Sequence, residues 1–320
     1  MKGESCTGNQ GNCALEARDY NGHSKIGQHR VSEVKPAINS NASPESAKPH
    51  NSEWREYGLF LLKLAAIVLV FRSVVFSPFY IPSESMQPRL EIGDYLFVAK
   101  WPYGISSQSL PLQLPLFEGR LFGSLPEPGD VVVFKKPPAQ TDDYIKRAIA
   151  LPGDVVQMRA GVLEINGKAV KKERLPDYIT PVTQGMRDAV ALEGGTFACY
   201  RPEFEEDAKG GGRQCRYPHF RETLPNGRSY EILDLVDAGP GDDTEALIVP
   251  EGHVFFMGDN RDRSADSRFP QGGVAIGMVP VENILGRAQF TWFSTDGSAR
   301  WLLPWTWFSA ARPNRMGKGF

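Results

Sequence analysis

The run "GLFLLKLAAIVLVFRSVVF", residues 58–76, constrains this chain more than any other stretch. As a helix, its nineteen residues span roughly 28 Å, close to the hydrocarbon thickness of a bilayer. Lys63 and Arg72 lie nine positions apart, hence on opposite faces, and each is near enough to one end to carry its charge to an interface. A cleavable secretory signal fits poorly: the run starts far inside the chain and ends in Ser77-Pro78-Phe79-Tyr80, not a small-x-small site. A helix packed on a core is disfavoured by the lack of any polar face. The expectation is one membrane anchor, residues 54–77.

Before it lies a polar tail, residues 1–53, poor in large apolar groups and free of helical or strand period. Such a segment buries too little surface to offset chain entropy and reads as disordered. Ser32-Glu33-Val34-Lys35 matches an SxxK pattern and Asn41-Ala42-Ser43 a glycosylation sequon. Without a packed site around them, both read as chance. Basic and acidic residues balance in the tail, and long domains translocate largely regardless of charge. The arrangement favours a cytoplasmic tail and an exported C-terminal domain.

The 320 residues suffice for one large or two modest domains with a real core. A net charge of -2 and the lack of a basic stripe give no electrostatic case for nucleic acid. With 25 prolines and 32 glycines among short β-branched runs, a mainly β, antiparallel fold is expected. Three Gly-Asp turns lead into "DYLFVAK", "DVVVFKK" and "DVVQMRA", and Asn166-Gly167 makes a hairpin turn. These define the first part of a β domain, residues 78–175. The pattern then degrades into an inserted smaller β lobe, residues 176–245, in which "DAKGGGRQC" reads as a flexible loop. Residues 246–320 resume the β domain and end in an aromatic segment containing Trp301, Trp305 and Trp307, suited either to a membrane interface or to core packing. Cys199 and Cys215 fall in the lobe. If exported, they would form a disulfide closing about 15 residues and worth roughly 3 kcal/mol; the alternative is two free thiols. Their spacing fits no zinc pattern, and neither a metal nor a nucleotide site is visible.

Directly behind the anchor, "PSESMQP" presents Ser83 and Ser85 without a nearby histidine. A serine nucleophile needs a base, and a lysine desolvated by apolar neighbours can serve. "DYIKRAIALPGD" offers Lys146 within an apolar strand; Arg147 must point to the opposite face, so one of the two is expected to face outward. A third cluster, "GDNRDRSADSR" (258–268), is either a solvated loop or an ordered polar loop beside a site.

In this order behind an anchor, "PSESMQPRLEIGD", "YIKRAIALPGD" and "GDNRDRSADSR" resemble bacterial type I signal peptidases, over essentially residues 57–295. The resemblance implies a membrane-bound serine endopeptidase of the bacterial inner membrane that acts on exported preproteins. Its catalytic domain would lie on the periplasmic side, with membrane lipid as a further partner and no cofactor. Carried over by motif, Ser85 would be the nucleophile and Lys146 the general base. The Ser83 hydroxyl and the Ser85 N–H would form the oxyanion hole. Ser264 would orient the lysine, and Asp266 and Arg268 would form a structural ion pair. Phe79, Ile81, Pro82, Met86, Tyr144 and Ile145 would wall the substrate pocket. Glu84, Arg89 and the long "FPQGGVAIGMVP" stretch depart from the family pattern, the last implying an extra loop.

Other readings share parts of this pattern. A tethered Ser/Lys peptidase maturing one dedicated substrate, such as a pilin, would carry the same dyad. A non-catalytic β-rich binding domain would give Ser85 and Lys146 no role beyond packing. A triad built on His219 or His253 places its base outside all three clusters.

Overall fold

The computed structural model describes residues 51–74, 76–106, 119–138, 140–192, 194–300 and 302–320, the side chains of 51–53, 70–74 and 105 excepted. Most of the expected tail, with its SxxK and sequon matches, lies outside these residues, as does Trp301. Helix α1 (Asn51–Val74) covers most of the expected anchor but begins ahead of residue 54, and residues 54–69 are all exposed. Among the described residues, no helix is long and apolar enough to cross a membrane. The chain turns into β1 (Phe76–Tyr80) directly after it.

The three Gly-Asp turns share one local device. Gly93, Gly129 and Gly153 take φ of 92°, 102° and 89°, the left-handed region that glycine enters without steric cost. In each turn the following aspartate accepts, through Oδ2, the N–H three residues earlier: Glu91 to Asp94 (2.9 Å), Glu127 to Asp130 (3.1 Å) and Leu151 to Asp154 (2.9 Å). The first turn launches β2 (Asp94–Ala99). After a short pair, β3 (Ile105–Ser106) and β4 (Arg120–Leu121), the second launches β5 (Val131–Lys135), which pairs with β6 (Asp143–Ala150). The third launches β7 (Val155–Arg159), β8 (Val162–Ile165) and β9 (Lys168–Ala169), the last two joined at Asn166-Gly167.

The lobe is more regular than its sequence suggests. Its sheet begins at Lys171, ahead of the expected boundary at 176, with β10 (Lys171–Pro181). Then come α2 (Gln184–Leu192), β11 (Glu205–Asp207), β12 (Arg213–Thr223) and β13 (Ser229–Leu233). The order is β10-β12-β11, with β13 also on β12. The glycine-rich stretch expected as a flexible loop is instead the turn of the β11–β12 hairpin. Gly211 and Gly212 supply the positive φ it needs. Cys199 and Cys215 are disulfide-bonded and packed with Ile92, Met186, Tyr217, Leu233 and Leu235.

After β14 (Leu247–Ile248), the chain returns through β15 (His253–Met257), β16 (Val279–Pro280), β17 (Ile284–Ser294) and α3 (Trp305–Ser309). The main sheet runs β1-β2-β17-β5-β6-β15-β16, each pair antiparallel. Successive residues of β5 alternate between two cores. Val131 and Val133 pack with Met86, Leu90 and Leu96, whereas Val132 and Phe134 pack with Phe256 and Ile284. A sheet covered on both faces needs such an unbroken apolar run, and each fully buried Val or Phe contributes about 1.5–3 kcal/mol. Trp305 and Trp307 are exposed, so core packing does not account for them.

Candidate active site

The segment carrying the two serines is a loop zipped at its base. Ile81 N–H donates to Asp94 O (2.9 Å), and Gly93 N–H donates to Ile81 O (3.0 Å). Met86 and Leu90, both with no exposed surface, sink into the core below. This apolar pair fixes the loop's underside and leaves Ser83, Glu84 and Ser85 lining a cleft of about 1130 Å³.

Lys146 reaches that cleft from β6. Strand alternation puts Lys146 and Arg147 on opposite faces, yet both are buried (4% and 5% exposed). The outward-facing cation expected from the sequence does not exist, because loop 258–268 and the lobe cover the second face. Arg147 is held there by Asp259 in a bidentate pair (Nε to Oδ1 2.7 Å, Nη2 to Oδ2 2.6 Å) and lies over the Tyr230 ring. On the cleft side, Lys146 Nζ stands 2.6 Å from Ser85 Oγ and donates to Ile145 O at 3.0 Å. Burial pushes the Lys146 amine down from its usual 10.5 to about 8, against the opposing pull of Asp266 and then Asp259. At that value a sizeable fraction is neutral near physiological pH, and a neutral amine accepts a hydroxyl proton.

Ser83 is exposed in the cleft wall, its Oγ 3.4 Å from Ser85 Oγ. Phe79, Ile81, Pro82, Tyr144 and Ile145 line the same cleft. Met86 does not; it lies beneath, where its bulk supports the wall. Loop 269–275, the extra loop expected from the sequence, forms further wall through Phe269, Pro270 and Val274.

Loop 258–268 closes over the Ser85 backbone. Asn260 N–H donates to Ser85 O (3.1 Å). A Cβ at Gly258 would lie 2.5 Å from that same carbonyl and 2.3 Å from Ser264 Oγ, so only glycine permits this approach. Asp266 anchors the loop: its carboxylate accepts from Gly258 N–H (2.9 Å) and from Arg268 Nε and Nη2 (2.8 and 3.0 Å). Burial alone would raise its pKa, but Arg268 and these donors hold it below the usual range. Far from a surface pair, both residues are buried. Ser264 lines the cleft but makes no hydrogen bond to Lys146; the Ile145 carbonyl holds the amine instead. The Ser264 hydroxyl forms no bond of sound geometry, although it stands close enough to Asp266 to help hold that carboxyl down.

Sequence reasoning missed three ionic contacts here: Arg147–Asp259, Arg261–Glu222 and Arg263–Glu84. Their partners lie far apart in the chain, so the available signal was only charged residues within otherwise apolar motifs.

The signal peptidase family, peptidase S26, matches residues 54–293 of this chain. Signal peptidase I of Rickettsia typhi (strain ATCC VR-144 / Wilmington) is 36% identical over 259 residues, which cover 78% of this chain and 84% of that protein. Signal peptidase I of Rickettsia prowazekii (strain Madrid E) is 38% identical over 249 residues, covering 75% and 80%. A crystal structure of a signal peptidase I from Enterococcus faecalis V583 is 22% identical, covers 51% of this chain and 97% of that one, and has a TM-score of 0.25.

Proposed function

The chain belongs to the signal peptidase family, peptidase S26, and is a hydrolase of that serine peptidase class; on this premise we propose that it removes signal peptides from exported preproteins with a Ser85–Lys146 dyad. The observation that carries this reading is the 2.6 Å contact between Ser85 Oγ and a buried lysine amine brought down to about 8.

The chemistry follows from the contact. Neutral Lys146 accepts the Ser85 proton as Oγ attacks the scissile carbonyl carbon. The carbonyl electrons move onto oxygen, where the Ser83 hydroxyl and the Ser85 N–H donate to the oxyanion. Lys146 passes its proton to the departing amine of the mature chain, leaving the signal peptide as an ester on Ser85. It then deprotonates the water that hydrolyses the ester. Shallow walls from Ile81 and Ile145 over the Met86 floor suit small side chains at positions -1 and -3.

A membrane tether at residues 58–76 places this chemistry where substrates emerge. Ser85 lies nine positions after Phe76, at most about 30 Å of extended chain. Aromatic rings gather on β1, β2 and β17, with Trp292 against Phe97 and Tyr95 and with Trp101 against Phe76; Trp and Tyr are the residues favoured at membrane interfaces. The Cys199–Cys215 bond supports placement of the body outside the cytoplasm. The deciding experiment is cleavage of a test preprotein by the wild type and by Ser85→Ala, in detergent with a chelator present. Loss of turnover only in the variant supports the reading, and full activity in Ser85→Ala removes it.

A further inference from the structure

Glu84 stands between the two residues assigned above to the oxyanion hole, and its side chain is buried (5% exposed) in the cleft wall they share. Attack by Ser85 creates a further negative charge directly beside Glu84, and two like charges in a poorly hydrated site oppose each other strongly. Arg263 meets this carboxylate from loop 258–268, with Nε donating to Glu84 Oε2 at 3.2 Å. The guanidinium is placed from the other side by the lobe. Its carbon lies 5.8 Å from the centre of the Tyr200 ring. Tyr200 is itself held beside Cys199, its N–H donating to Tyr217 Oη at 3.1 Å. The Glu84 charge reaches that far: after burial, it is the largest influence raising the Tyr217 phenol.

We propose that Arg263 is a positioning residue that neutralises Glu84, so that the oxyanion forming at Ser83 and Ser85 is not opposed by a neighbouring carboxylate. The proposal rests on the roles of Ser83 and Ser85 given above. It makes the disulfide-tied lobe a contributor to turnover, since the lobe supplies the ring against which Arg263 is set.

The test is steady-state cleavage of a preprotein with alanine at -1 and -3 by the full chain in detergent, with kcat and KM read separately. Arg263→Gln removes this counter-charge from Glu84 and is expected to lower kcat about 30-fold, with KM within about twofold. Arg263→Lys keeps the charge and most of the rate. Glu84→Gln combined with Arg263→Gln removes both charges and regains at least about tenfold of the loss. A double variant as slow as Arg263→Gln overturns the proposal, as does a raised KM at unchanged kcat, which would make Arg263 a substrate contact. If Arg263→Gln does not fold, the double variant decides alone: a rate above about a tenth of wild type supports neutralisation, and a lower one overturns it. Ser85→Ala run alongside separates the two failures. Activity there removes the dyad reading itself, whereas a slow double variant beside an inactive Ser85→Ala removes only the role of Arg263.

Discussion

Lys146 and Arg147 are consecutive cations on one strand, both buried, and the structure treats them in opposite ways. Arg147 lies against the Asp259 carboxylate, and despite burial that charge raises its pKa further. Lys146 is given a hydroxyl and a backbone carbonyl as partners, and burial lowers it to about 8. One site thereby keeps a permanent structural cation and a titratable amine side by side.

The rate should follow the neutral fraction of Lys146. Activity is therefore low at acid pH, where the amine is protonated, and rises through a single ionisation near pH 8. Asp266 and then Asp259 hold the amine up, so Asp266→Asn should move the midpoint to lower pH, and further than Asp259→Asn does. Lys146→Met and Lys146→Arg should both be inactive, the latter because guanidinium stays charged. The same pH rise in a still-active Lys146→Met would assign the base to another group.

Stability should also rise with pH, over a higher range. The folded amine titrates near 8 and the unfolded one near 10.5, so folding expels a proton between those values and wild-type stability rises with pH across that window. Below it, the fold bears the cost of a buried ammonium. Lys146→Met removes that cost and should be more stable than wild type at pH 6 to 7 by roughly 3 kcal/mol. The advantage should shrink toward pH 10.5. Urea unfolding at several pH values reads this directly, and a Lys146→Met protein that is less stable at pH 6 would contradict it.

Ser83→Ala should keep a measurable rate reduced about 100- to 1000-fold, as loss of one oxyanion donor does, whereas Ser85→Ala has none. Substrate choice should track the shallow walls: leucine at -1 should be cleaved far more slowly than alanine. Equal rates would mean that Ile81 and Ile145 do not bound the site.

The C-terminal segment clasps the stretch that follows Ser85. Arg312 donates to Glu91 (2.7 Å) and to Ile92 O (2.7 Å), while Arg315 donates to Asp94 (2.7 Å), whose carboxylate is fully buried. Removing both arginines strands two acidic groups and should destabilise the fold by about 3–5 kcal/mol. A loss under about 1 kcal/mol in chemical unfolding would show that the clasp is dispensable.

Reduction of Cys199–Cys215 should cost about 3 kcal/mol of stability, given a separation of 16 residues. Peptide mapping without reductant, on protein made in its native compartment, should find the two cysteines linked. Two free thiols would remove the link and weaken the exported placement.

Much of the fold was legible because its determinants are local. Each Gly-Asp turn encloses its own hydrogen bonds within four residues, and the β-branched runs that follow have the period of strands. The lobe was harder to read. Its strand β10 mixes charged and apolar residues, and the glycine stretch at 208–212 looks the same in a loose loop as in a tight hairpin.

By itself, the sequence determined the chemical types at the site. A serine behind an apolar run, a lysine among isoleucines and a polar loop rich in Asp and Arg are readable residue by residue. Tertiary structure alone decided what those groups can do. Ser85 and Lys146 are 61 residues apart, and only packing of Met86 and Leu90 beneath one loop sets their 2.6 Å contact. Burial decided the proton on Lys146, the covering of Arg147, the contact Ser264 does not make and the pairing of Glu84 with Arg263. The physical reason is that desolvation and ion pairing depend on which surfaces meet. That depends on the whole chain, whereas turns and strand period depend only on neighbours.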